Sequence, residues 1–144
     1  MLKIDKNVFL EGLDNGFFKA PNDIFDLEFK VVAEKRVVKK VGGETKYEYI
    51  ETVRNLDAVE KLVYLYICRC ANNGRSAFPS YRNIAQKCNI SLDKATKSIN
   101  VLVNNCFIQK KTRGGQGERM LKYSNVYNIN ADLKALQKAL LEVQ

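Results

Sequence analysis

The sequence predicts an α+β domain carrying an N-terminal extension with a β-hairpin and a C-terminal helix. Three observations predict it. Two β-rich runs flank Gly42-Gly43. From Asp57 the apolar period lengthens from two to 3.6, the mark of helices, and helical patterns continue to about residue 104. A glycine-rich tip, Gly114-Gly115-Gln116-Gly117, then separates two further strand-like runs.

Taken in order, Gly16–Asp23 reads as an extended segment ended by a turn at Pro21. Phe29–Val41 is rich in valine, and Glu44–Val53 alternates, with Tyr47, Tyr49, Glu51 and Val53 on one side and Lys46, Glu48, Ile50 and Thr52 on the other. Around Gly-Gly these runs suggest a hairpin, with a helix over 26–40 as the rival. Val59, Leu62, Val63, Tyr66 and Cys70 form one helical stripe, ended by Ala71-Asn72-Asn73-Gly74. Ser80 is an N-cap for a short helix with Ile84, Ala85 and Cys88 inward. Asn89-Ile90-Ser91 is a tight turn, and Ser91 caps a third helix over about 92–104. That helix turns Ala95, Ser98, Ile99 and Leu102 inward and a wholly polar face outward: Asp93, Lys97, Asn100 and Asn104, flanked by Lys94 and Thr96. Asn104-Asn105 can end it, because Asn tolerates the left-handed conformation. Cys106–Arg113 and Met120–Ile129 are strands, with Phe107 and Ile108 inward. Asn130–Gln144 is a helix whose stripe is Leu133, Leu136, Leu140 and Val143. The organisation is an extension (1–55), a central domain (56–130) and a terminal helix (131–144).

Composition narrows the function. With 46% hydrophobic and 28% charged residues the chain has globular values, not those of a disordered one. The longest apolar run, Leu62–Cys68, is too short to span a membrane, and the start Met-Leu-Lys-Ile-Asp has no apolar signal core, so a cytoplasmic setting is expected. There are no histidines, which removes His-based dyads and His-ligated metals; a non-enzyme is expected, with no cofactor and no small-molecule substrate. The four cysteines, at 68, 70, 88 and 106, have no metal-site spacing and read as small buried thiols. The tyrosines at 47, 49, 64 and 66 read as core at strand and helix periods. The net charge of +8 is concentrated in residues 75–122, which hold ten basic and two acidic side chains. An excess confined to one segment points to a polyanionic partner, most commonly nucleic acid.

The stretch Phe78-Pro79-Ser80 … Ile84-Ala85 … Ile90-Ser91 … Ile99 … Leu102 … Phe107-Ile108 … Ser124-Asn125-Val126-Tyr127 resembles the winged helix-turn-helix domains of phage and plasmid proteins in Gram-positive bacteria. Upstream, Phe18-Lys19-Ala20-Pro21 … Phe25 and Leu56 … Glu60-Lys61-Leu62-Val63-Tyr64 are similar to the start of plasmid replication initiators. The resemblance implies double-stranded DNA as partner, helix 92–104 as recognition helix and Lys110–Lys122 as wing. Asp93, Lys94, Lys97 and Asn100 are then the candidates for base contact, since Lys suits guanine, Asn suits adenine and an acid accepts from cytosine. Ser80, Tyr81, Arg82, Thr96, Lys110, Lys111, Arg113, Arg119 and Lys122 are the candidates for the DNA backbone. The family usually has Gly where Cys106 stands, and Asn105 is the residue expected to take over its conformation.

The expected role is replication initiation or transcriptional regulation on a plasmid or phage. The rivals are an accessory DNA-binding factor for conjugative transfer and a winged-helix protein-interaction module, such as a phage protein that inhibits a host enzyme. The terminal stripe would pack on the Leu62–Cys70 helix or, as the favoured reading, form a homodimer contact.

Overall fold

The computed structural model describes residues 18–71, 76–77, 79–111 and 125–143. In chain order the elements are α1 (Asp23–Asp26), β1 (Lys30–Val41), β2 (Glu44–Asn55), α2 (Ala58–Cys70), β3 (Ser76–Ala77), α3 (Tyr81–Cys88), α4 (Leu92–Asn104), β4 (Ile108–Lys111), β5 (Val126–Ile129) and α5 (Leu133–Val143). β1 and β2 form a two-stranded antiparallel ribbon, turned at Gly42 and Gly43, both with positive φ. The other sheet has the order β3-β5-β4, with both pairings antiparallel.

Local chemistry explains where the central helices begin. Asp57 caps α2: its carboxylate accepts from the Glu60 N–H, and the Glu60 carboxylate accepts from the Asp57 N–H, closing a capping box. Ser80 and Ser91 cap α3 and α4 by accepting from the N–H groups of Asn83 and Lys94.

The ends of α3 and α4 repeat one device. After α3, Asn89 takes φ 55° and the Ile90 N–H returns to the Ala85 carbonyl. After α4, Cys106 takes φ 64° and the Phe107 N–H returns to the Leu102 carbonyl. In each case a left-handed residue lets the next, apolar residue turn into the core and satisfies an orphan carbonyl. The expectation for Asn105 is therefore corrected: its φ is −105°, and Cys106 itself adopts the left-handed conformation. Asn105 is occupied otherwise. Buried, it accepts from the Val32 N–H and donates to the carbonyls of Val32 and Val101, clamping the edge of β1 to the end of α4.

Among the described residues one core takes side chains from all five helices and from β1, β4 and β5. Phe107 lies at its centre, edge-on to Phe29 at 5.1 Å and to Tyr64 at 6.1 Å between ring centroids. Ile24 from α1, Phe29 and Val31 from the base of the ribbon, and Leu133 and Leu136 from α5 join the inward faces of α2, α3 and α4. The Tyr64 hydroxyl donates to the Asn130 carbonyl, and the Asn130 side chain donates to the Cys106 carbonyl, tying α2 to the ends of β5 and α4.

Three further expectations are corrected. The buried face of α2 is Glu60, Val63, Tyr64, Ile67 and Cys68, while Leu62 and Cys70 are exposed. The stripe is rotated because it includes a carboxylate, neutralised by Arg54, that apolar patterning passes over. Cys106 is exposed as well, so only Cys68 and Cys88 are buried thiols. α5 packs on β1 and α1 rather than on α2, with Gln137 donating to the Glu28 carbonyl. Its residues Leu133 and Leu136 are thereby buried in the core, while Val143 of the expected stripe is exposed. Among the described residues no helix is long and apolar enough to cross a membrane.

Candidate nucleic-acid interface

α4 is positioned by its buried face. Ala95, Ser98, Ile99 and Leu102 are inside the core, so Asp93, Lys97, Asn100 and Asn104 are exposed on the outside of the helix. The inward face holds one anomaly, the Ser98 hydroxyl, which is buried with no hydrogen-bond partner among the described residues. On the outward face Lys97 reaches Asp93 at 3.0 Å, one helical turn away, with both side chains more than 70% exposed. Such a pair contributes only about 0.3–0.5 kcal/mol, so Lys97 can exchange Asp93 for another anion at little cost.

Lys94 and Thr96, at the edges of this face, are tied to the protein. The Lys94 ammonium is 3.1 Å from the Asp57 carboxylate, which joins the first turn of α4 to the N-cap of α2. The Thr96 hydroxyl donates to the Leu92 carbonyl within the helix. Burial alone would push the Asp57 carboxyl up. The Glu60 N–H, Lys94 and Arg54 outweigh that effect and hold it below the usual carboxylate value. Arg54 also grips the buried Glu60 with both guanidinium arms, at 2.8 and 2.6 Å. The Glu60 bonds raise the Arg54 pKa further above its ordinary value despite burial.

The N-terminus of α3 lies beside β4. Lys110 donates to the Tyr81 hydroxyl at 3.2 Å and stands 6.0 Å from its ring centroid. Arg82, Lys110 and Lys111 are exposed, and Tyr81 is half-buried. Ser80 uses its hydroxyl oxygen as cap acceptor. Arg113, Arg119 and Lys122, with the 114–117 tip, lie outside the described residues. The structure thus brings Tyr81 and Lys110 into contact, places Asp93, Lys97 and Asn100 on one helix face, and turns Lys94 to Asp57.

Sequence reasoning missed Asp57 as the anchor of α4. The signal was present in Asp57-Ala58-Val59-Glu60, an acid–x–x–Glu capping pattern ahead of an apolar run. Among the described residues no group of three or more His, Cys, Asp or Glu side chains could hold a metal ion.

No curated protein and no solved structure matches the chain. A family model does: residues 54–108, from the arginine that grips Glu60 to the first residue of β4, match that of a helix-turn-helix domain. The match supports a helix-turn-helix domain over α2, α3 and α4.

Proposed function

We propose that this protein binds double-stranded DNA, with α4 entering the major groove and the basic segment from Lys110 to Lys122 acting as a wing. The observation that carries this reading is the exposed polar face of α4, the last helix of the matched segment, within the stretch that holds the whole +8 charge. Lys97 and Asn100 would read base edges there, with Asp93 releasing Lys97 on binding. Lys94 would act by fixing the pitch of α4 against Asp57. Ser80, Tyr81 and Arg82 at the start of α3, with Lys110 and Lys111, would contact the phosphate backbone. The setting that fits the resemblance is replication initiation or transcriptional control on a plasmid or phage, in the cytoplasm.

The test is duplex binding as a function of salt. Affinity should fall as roughly the fourth to eighth power of salt concentration, for about that many neutralised phosphates. Lys97→Ala should relax preference at one base pair by about 1–3 kcal/mol, whereas Arg82→Ala should weaken all sequences alike. A flat salt titration overturns the reading, and equal losses on every sequence from both variants move base recognition away from α4.

A further inference from the structure

The β1–β2 ribbon is not used by the site described above. Only its base is in the core: Val31 and Ala33 are buried, while from Glu34 to Val41 and from Glu44 to Glu51 the strands are exposed apart from a half-buried Val37. Tyr47 and Tyr49, expected as core, are 56% and 68% exposed, and Val38 and Val53 are 54% and 53% exposed. The register places all four on one face, in successive rows: Val32 with Val53, Glu34 with Glu51, Arg36 with Tyr49, Val38 with Tyr47, and Lys40 with Thr45. Arg36 stacks on the Tyr47 ring at 4.8 Å.

Two features of this face are costly for a free ribbon. It exposes large apolar side chains to water, and its register sets Glu34 directly against Glu51, a like-charge pair that destabilises an antiparallel ladder. On the opposite face the Lys39–Lys46 pair is met within the ribbon by Glu48, whose carboxylate is 2.9 Å from Lys39. The order of rows makes the Glu face self-complementary. Two copies stacked face to face, with strands reversed about a two-fold axis at the level of Val37, set the row of Glu34 and Glu51 against the partner's row of Lys40 and Thr45. The same axis sets Arg36 and Tyr49 against Val38 and Tyr47.

We propose that this ribbon face is a self-association surface whose occupant is a second copy of the chain. In that pairing each Glu34 meets a Lys40 and each Tyr49 meets a Tyr47, and Tyr47, Tyr49 and Val38, with Arg36 stacked on the Tyr47 ring, leave water at the centre of an isologous contact. A polyanion is the poorer occupant: residues 34–51 hold five basic and four acidic side chains, against ten and two in residues 75–122. The patch from row 34 to row 40 is about 20 Å long at the usual strand rise, small beside a standard interface, so the association is weak and populated at micromolar or higher concentration.

The experiment is sedimentation equilibrium of the full chain without DNA, from about 5 to 300 µM at low salt. The wild type should rise from monomer toward dimer mass. A double variant, Glu34→Lys with Glu51→Lys, keeps a like-charge pair within the ribbon but opposes Lys40 of the second copy, and should associate at least about tenfold more weakly. Adding Lys40→Glu inverts the whole pattern and should restore association to within about threefold. Unchanged circular dichroism and melting establish that these exposed positions leave the fold intact. A wild type that stays monomeric throughout overturns the proposal, as does a triple variant no better than the double. If the wild type never dimerises, loss of duplex affinity in a Lys40→Glu single variant would instead make the ribbon a DNA-contacting arm.

Discussion

Asp57 joins three elements through one carboxylate: it caps α2, receives Lys94 from α4 and lies 3.9 Å from Arg54 at the end of β2. Its folded-state pKa lies below its unfolded value, so its contribution is fully present above about pH 4 and is lost as pH falls through the folded value. Asp57→Asn keeps a cap acceptor but not the charge; its unfolding free energy should depend less steeply on pH below about 4 than that of wild type, as denaturant titrations at a series of pH values would show. Arg54→Ala should cost more. It strands the buried Glu60 carboxylate, and broken buried pairs cost about 3–5 kcal/mol, toward the lower end here because Arg54 is 38% exposed. A shift under about 1 kcal/mol by chemical denaturation would show that water reaches the Glu60 carboxylate once the guanidinium is gone. The serine caps were legible in the sequence because capping is local. The burial of Glu60 was not, because its neutralising arginine arrives from the preceding strand.

Among the elements, α4 matched its predicted span and inward face because its pattern is clean: four small or apolar residues at helical spacing and a polar remainder. α1 and β3, with four and two residues, are too short to show a period. The end of α4 carries a further prediction. A non-glycine residue in the left-handed region costs about 1–2 kcal/mol, and glycine returns about 0.5–1 of that through the entropy of the unfolded chain. Cys106→Gly should therefore raise stability by up to about 1 kcal/mol in thermal unfolding, with circular dichroism unchanged. Destabilisation would mean that the Cys106 side chain contributes packing that its exposure conceals.

For the whole molecule, the decisive fact is that a single core takes residues from α1 to α5. Truncation after Asn130 removes Leu133 and Leu136 and bares the base of the ribbon. Each deleted core leucine costs about 2–5 kcal/mol, a large share of the 5–15 kcal/mol that holds a domain together. The truncated chain should lose its cooperative melting transition; a folded product would place α5 outside the core. This closure was not legible in sequence, where each segment has its own period and nothing marks which distant segment will cover it. The same closure governs time as well as stability. The bonds of Asn105 to Val32, Tyr64 to Asn130 and Gln137 to Glu28 span 73, 66 and 109 positions. Such contacts reward the chain only after long loops have closed, so folding should be slower than that of an all-helical bundle of the same size. During synthesis the three central helices would leave the ribosome with Phe107 still uncovered on one side, and the domain would become protease-resistant in one step, after Leu136 emerges.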